Sequence, residues 1–287
     1  MNRDILAVIQ ENAPTFSKGQ RKIANFILES YDKAAFMTAS RLGKKVGVSE
    51  STVVRFASEL GYDGYPDMQR SLQKMIRNRL TTVQRIEVAN DRLGGQDLLS
   101  MVLQSDIDKI RLTLEELDRT SFDQAVDAIV SARKIYIIGV RSSAAIAAFL
   151  HFYCNLIFDN VVLVSANTAS EIFESLLRVG GGDVVIGVSF PRYSSRTVQA
   201  MSFARDRGAV TIAITDGEAS PLAPICTYSL MARSDMASFV DSLVAPLSLV
   251  NALLVAVSWR KNDELARTFR SLEDIWDEYG VYEKVQE

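Results

Sequence analysis

Two short stretches hold residue types that bind anions. They are Gly139-Val140-Arg141-Ser142-Ser143 and Ser189-Phe190-Pro191-Arg192-Tyr193-Ser194-Ser195-Arg196-Thr197. Each follows an apolar, β-rich run (KIYIIG and DVVIGVS) and precedes a helical pattern, so each is expected to be a strand–loop–helix junction. Hydroxyls, the unpaired amides of a first helical turn and a guanidinium all act on the same kind of guest, a phosphate or a carboxylate. The plainer reading is that these serines only cap helices and the arginines only face solvent. Two such loops at corresponding ends of one sheet favour a receptor, for which Gly139, Arg141, Ser142, Ser143, Ser189, Arg192, Ser194 and Ser195 are the candidate residues.

A second constellation lies in Ser40–Gly61, SRLGKKVGVSESTVVRFASELG. Leu42 and Val46 share a helical face, Gly47 permits a tight turn, and Val48 plugs the space between two helices. Ser49 suits the N-cap of the second helix, Glu50 suits the positive end of its dipole, and Val53, Ala57 and Leu60 form its buried stripe. Ser51, Thr52 and Arg55 are left outward near its start, types that reach base edges and phosphates in a major groove. With Lys44 and Ser49 they form the expected DNA-contacting set. A helical hairpin with a glycine turn also occurs without DNA, and spacing by itself favours DNA only modestly.

The elements that must carry these sites follow from periodicity. Ser17-x-x-Gln20 has the form of a capping box before Ile23, Phe26, Ile27 and Tyr31, Thr38 can cap the next helix, and Asp63-Gly64 marks a turn before another amphipathic helix. The first domain, 1–80, is therefore expected to be all-helical. Leu80–Gln96, with Asn90-Asp91 and Gly94-Gly95, has the composition of a connector, and Asp97–Leu117 reads as a helix with an exposed apolar stripe, which together make a connecting region at 81–120. From 121 to 287 the runs KIYIIG, NVVLVS, DVVIGVS, AVTIAIT and CTYSLMA alternate with helices starting near Ser142, Thr168, Ser194 and Phe239. That pattern predicts an α/β, three-layer, doubly wound parallel sheet whose ligands sit beyond the carboxyl ends of its strands.

Charge divides the same way. Residues 1–80 hold 13 Lys and Arg against 8 Asp and Glu, a net +5, which leaves −8 for 81–287. The basic end is the end that carries the helix-turn-helix, as attraction to a polyanion requires. The 287 residues, 48% apolar and 23% charged, suit two ordinary cores rather than disorder. Cys154 and Cys226 stand in apolar runs without C-x-x-C spacing, which suggests buried thiols in a reducing cytoplasm and no metal site. The uncharged run between Asp241 and Arg260 reaches the minimum length of a membrane span, but Pro246, Asn251 and three serines interrupt it, so a buried helix is expected.

The segment Val48–Tyr65 matches V-S-x-x-T-V-x-R-F-x-x-x-L-G-Y-x-G-Y, and behind it stand IYIIGVRSS, DVVIGVS and TIAITDGEASPLA. Together these resemble the RpiR/MurR family of bacterial transcriptional regulators over nearly the full length. The resemblance implies a sugar-isomerase (SIS) domain that binds a phosphorylated sugar or related anionic metabolite, a homodimer or homotetramer, a palindromic double-stranded operator and no cofactor. Two departures stand out. The family's first loop reads G-x-G-x-S, so Gly139 and Ser143 match while Arg141 replaces the second glycine. In the S-x-S-G-x-T loop Ser189 and Ser194 match, but Pro191 lacks a hydroxyl and an amide hydrogen, and Arg192 fills space where glycine leaves it empty. Arginine side chains are therefore expected to take over anion recognition from a backbone cradle. An isomerase is the competing reading, since the same domain supports aldose–ketose chemistry with a His, Glu or Lys base. His151 sits mid-helix among apolar residues, and Glu171 and Glu174 have the spacing of a solvated helix face, so no catalytic residue is assigned.

Overall fold

A computed structural model of the chain describes residues 5–76, 81, 83–86, 97–165, 168–235 and 240–282. The Asn90-Asp91 and Gly94-Gly95 turns and the helix start at Phe239 lie outside the described residues. The chain divides into two units, Met1–Met101 with Met236–Asp241, and Val102–Asp235 with Ser242–Glu287.

The first unit is helical: α1 (Ile5–Asn12), α2 (Lys18–Glu29), α3 (Tyr31–Ala34), α4 (Ala39–Val46), α5 (Glu50–Glu59) and α6 (Tyr65–Ile76). Side-chain caps set several of the starts. Ser17 and Gln20 form the reciprocal capping box on α2, Thr38 accepts from Arg41 N at 3.2 Å on α4, and Ser49 accepts from Thr52 N at 3.3 Å on α5. Ile9, Ile23, Ile27, Leu42, Val53, Phe56, Met68 and Leu72 are fully buried together, and the Phe16 and Phe56 rings pack 5.1 Å apart. The Tyr65 hydroxyl donates to Met37 O at 2.7 Å, and burial raises its pKa above the usual tyrosine range. Arg85 is 1% exposed and pairs with Asp241 at 2.7 Å within this unit.

The second unit opens with α7 (Leu98–Glu116, whose first residues belong to the first unit) and α8 (Arg119–Val130). Then follow β1 (Lys134–Gly139), α9 (Ser143–Ile157), β2 (Val161–Val164), α10 (Ala169–Ser175), β3 (Asp183–Val188), α11 (Ser195–Asp206), β4 (Val210–Thr215), β5 (Tyr228–Met231), α12 (Val244–Arg260) and α13 (Asn262–Tyr279). The strands form one parallel sheet in the order β2-β1-β3-β4-β5. Alternate strand residues serve opposite faces, as a two-residue period requires. Ile135, Ile137, Val184, Ile186, Ile212 and Ile214 pack with α8, α9 and α12, whereas Tyr136, Ile138, Val185 and Ala213 pack with α10 and α11. This is the three-layer architecture that continuous apolar runs predicted. The uncharged run becomes α12, which buries Leu249, Val250, Leu253 and Val257 against the sheet, and no helix among the described residues is long and apolar enough to cross a membrane.

Neither cysteine is in a disulfide. Burial pushes the Cys154 thiol up to about 12 and the Cys226 thiol up to about 11. Cys154 is buried and Cys226 half-buried, so Cys154 should resist a thiol-specific label at pH 8 until the protein unfolds, and prompt labelling of Cys154 in the native protein would contradict its burial. A pKa raised in the folded state protects the fold only while the unfolded thiol keeps its proton, to pH about 8.5. Stability should therefore decline as pH rises from there toward the folded-state values.

Candidate functional site

The helix-turn-helix consists of α4 and α5. Gly47 ends α4 with φ of 71°, the left-handed turn glycine adopts without strain, and Val48 N donates back to Gly43 O at 2.9 Å. Gly43 is needed for closeness, because a Cβ there would stand 2.9 Å from Val48 O. At the start of α5 three hydroxyls gather, with Ser49 Oγ 2.9 Å from Ser51 Oγ and 2.8 Å from Thr52 Oγ1. Ser49, Ser51, Arg55 and Lys44 are exposed and Thr52 is half-buried, so the expected DNA-contacting set stays accessible. Sequence reasoning missed a basic groove of about 450 Å³ that Lys33, Met37, Arg41, Lys44 and Lys45 line. Its signal was present in the spacing of Arg41, Lys44 and Lys45 along α4. The stripe on α5 likewise includes Phe56, which is fully buried beside Val53 and Ala57, while Leu60 is half-buried.

In the second unit, β1 lies between β2 and β3, so the chain winds one way from β1 to β2 and the other way from β3 onward. The crevice between the carboxyl ends of β1 and β3 is the topological switch point, where doubly wound sheets bind ligands. Gly139 pairs with Val188 there, so the loops after both strands lie side by side. Gly139 fits because it has no side chain: a Cβ would meet Ser143 O at 2.5 Å and Ala147 Cβ at 2.9 Å. Ser143 is buried, and Ser142 precedes α9 in a helical conformation without a side-chain cap hydrogen bond.

Arg141 and Arg192 have φ of 60° and 62° and are the non-glycine residues with positive φ among those described. L-residues seldom adopt this backbone, and each such residue stores about 1–3 kcal/mol. The glycine-type backbone shape therefore persists at both departures from the family pattern, and an exposed guanidinium is added at each. Around Arg192 the loop is held by its surrounding contacts. Ser189 Oγ accepts from Ser194 N at 3.3 Å, Thr215 Oγ1 donates to Ser189 O at 2.7 Å, and Tyr193 OH donates to Asp216 Oδ1 at 2.7 Å. Ser194 also caps α11 by accepting from Thr197 N at 3.5 Å. Thr197, in the first turn of α11, is fully buried and its hydroxyl has no hydrogen-bond partner. Ser195 is exposed at the start of α11.

Further along the same edge, Arg233 follows β5 and pairs with Glu116 of α7, which raises its pKa. His151 is half-buried in the middle of α9, and of the two candidate bases in α10, Glu171 is half-buried and Glu174 exposed. Among the described residues no group of three His, Cys, Asp or Glu could hold a metal ion.

A helical DNA-reading domain joined to a doubly wound SIS layer defines a transcriptional regulator with a SIS domain. Comparison with known proteins agrees at both ends: residues 3–79 match the model of the helix-turn-helix domain of the rpiR family, and residues 128–256 match the SIS domain. The chain thus joins a helix-turn-helix domain of the rpiR family to a SIS domain. The HTH-type transcriptional regulator HexR of Escherichia coli is 27% identical over 280 residues, 94% of this chain and 95% of that protein. The HexR of Pseudomonas aeruginosa is 24% identical over 281 residues, 95% of both. Among solved structures, the sugar isomerase domain of an RpiR transcription factor from Sphaerobacter thermophilus aligns with a TM-score of 0.60 and 29% identity, over 62% of this chain and 99% of that one. The Vibrio vulnificus NanR protein complexed with ManNAc-6P aligns with a TM-score of 0.59 and 24% identity, over 96% and 98%.

Proposed function

We propose that the SIS unit senses a phosphorylated sugar or a related anionic carbohydrate metabolite at the β1/β3 switch point, and that occupancy alters operator binding by the helix-turn-helix. The observation that carries this reading is the pair of left-handed arginines, Arg141 and Arg192, on adjacent loops at the ligand edge of the sheet. Strained backbone of this kind persists where surrounding structure holds it, and such positions cluster at ligand clamps. Gly139, Ser142, Ser143, Ser189, Ser194 and Ser195 complete the site, with the first turns of α9 and α11 supplying amides and the positive end of the helix dipole. The likeness in fold to a protein held with a sugar phosphate agrees with this class of guest. Isothermal titration against a panel of sugar phosphates and sugar acids tests it: saturable binding of at least one member is expected, and no binding across the panel overturns it.

On the DNA side Ser49, Ser51, Thr52 and Arg55 enter the major groove, while Lys44 and the basic groove hold phosphates. A homo-oligomer then presents paired readers to a palindromic operator with half-sites one helical turn, or a multiple, apart. Arg55→Ala is expected to weaken operator binding by about 1–3 kcal/mol and to relax preference at one base pair. Unchanged affinity and preference in a competition assay would remove Arg55 from the interface. Turnover of a sugar phosphate in a coupled assay would replace the sensor by an isomerase.

A further inference from the structure

The chain after β5 serves both units. Arg233, Ser234 and Asp235 lie in the second, Asp241 lies in the first, and Ser242 returns to the second through a single peptide bond. The two ends of this excursion are tied at its base: Ser234 Oγ donates to Ser242 O at 3.0 Å, Ser242 N donates to Asp235 O at 3.3 Å, and both serines are buried. Both ends are also pinned to α7. Arg233 N donates to Thr113 Oγ1 at 2.9 Å, and Ser242 Oγ donates to Asp106 Oδ1 at 2.6 Å on the same face of the helix.

That base is continuous with the candidate effector loop. Ala232 N donates to Thr215 O at 2.8 Å, and the fully buried Thr215 hydroxyl donates to Ser189 O at 2.7 Å. Ser189 opens the loop that carries Arg192 and Ser194, and its hydroxyl accepts from Ser194 N at 3.3 Å. Hydrogen bonds hold only over a narrow range of distance, so a shift of Ser189 moves Thr215 with it or breaks the bond. At the far end Asp241, bonded directly to Ser242, pairs with Arg85 at 2.7 Å, and Arg85 is 1% exposed. Pulling Asp241 from that seat takes a carboxylate away from a buried guanidinium, a far larger cost than opening a surface pair. A displacement of Ser242 is therefore passed on to Arg85 rather than absorbed at Asp241. We propose that Ser189, Thr215, the Ser234–Ser242 contact and the Arg85–Asp241 pair form the link through which occupancy of the effector site reaches the DNA-reading unit. The proposal rests on an effector at the β1/β3 switch point and adds where its signal leaves the sheet. Arg85 and Asp241 are positioning residues in this scheme and act through Ser242.

The test measures a ratio, the affinity for DNA with and without a bound probe. Fluorescence anisotropy of a duplex that the full-length protein itself selects from a random library is followed with glucose 6-phosphate, ManNAc-6P or 6-phosphogluconate, whose own binding is titrated in parallel. In the wild type a probe that binds is expected to change DNA affinity by about 5- to 150-fold. The Arg85→Met/Asp241→Leu variant, which replaces the buried pair by apolar side chains, should still bind the probe and the duplex, while the ratio falls to about onefold. Ser234→Ala leaves the ion pair untouched and is expected to shrink the same ratio, which decides the matter should the double variant not fold. A folded double variant with the wild-type ratio overturns the link, and a lowered melting temperature of its first unit beside that ratio assigns the pair to stability alone. A wild type that binds a probe without any change in DNA affinity overturns the link and leaves the effector site standing. Failure of every probe to bind would sink the effector site and the link together.

Discussion

Replacing Phe56 with alanine is expected to cost the first unit about 3–5 kcal/mol and to abolish operator binding while leaving the melting of the SIS unit in place. Phe56 is fully buried on α5, its ring packs 5.1 Å from that of Phe16, and Val53, Ala57, Ile23 and Leu42 share the same core. The helix that presents Ser51, Thr52 and Arg55 thus depends on one aromatic side chain for its seat. A cavity of that size sits in a small helical unit, where a few kcal/mol is a large share of total stability. The loss should therefore appear as selective melting of the reader rather than as a local adjustment. Calorimetry should resolve an early transition for the first unit and an unshifted one for the second, and a gel-shift assay should show no complex. A variant that melts like the wild type and still binds DNA would mean that Phe56 is not the anchor of α5.

The glycine variants Arg141→Gly and Arg192→Gly are expected to separate stability from binding. Each removes left-handed strain of about 1–3 kcal/mol. Each also adds unfolded-chain freedom worth about 0.4–1 kcal/mol, so the melting temperature should stay level or rise. Each removes a guanidinium whose hydrogen bonds to an anion are worth about 1.5–3 kcal/mol, so effector affinity should fall roughly 10- to 150-fold per site. The alanine variants sharpen the comparison, because they lose the same charge yet keep the unfavourable φ of 60° and 62°. Glycine should thus be more stable than alanine at both positions, with equally poor binding. Glycine variants that bind as tightly as the wild type would show that the arginines are not effector ligands.

Local chemistry made much of the fold legible. Ser17, Thr38 and Ser49 announce helix starts because a side-chain oxygen before an apolar period has few better uses than a free amide. The β1, β3 and β4 runs were readable because strands covered on both faces carry few polar residues. The site was legible by residue type, but its shape was not. Nothing near Arg141 or Arg192 in sequence states that the backbone keeps a glycine's conformation there. That conformation depends on Gly139 against α9 and on the Ser189, Thr215 and Asp216 contacts, which join positions remote in sequence. Ser142 shows the converse, a serine at a helix start whose side chain makes no cap. For α7 the apolar spacing was plain, while the side that faces outward follows from Asp106 and Thr113 meeting Ser242 and Arg233 far along the chain.

The Arg85–Asp241 pair spans 156 positions and sets an order of events at the ribosome. Helices 5–76 share one core among themselves, so they can pack before any strand of the sheet has been made. Asp241 follows β5, so Arg85 meets this counter-ion only after every strand of the sheet has been synthesised. A nascent chain thus has its DNA-reading helices early and this buried ion pair late. The pair reports that translation has passed the last strand of the sheet.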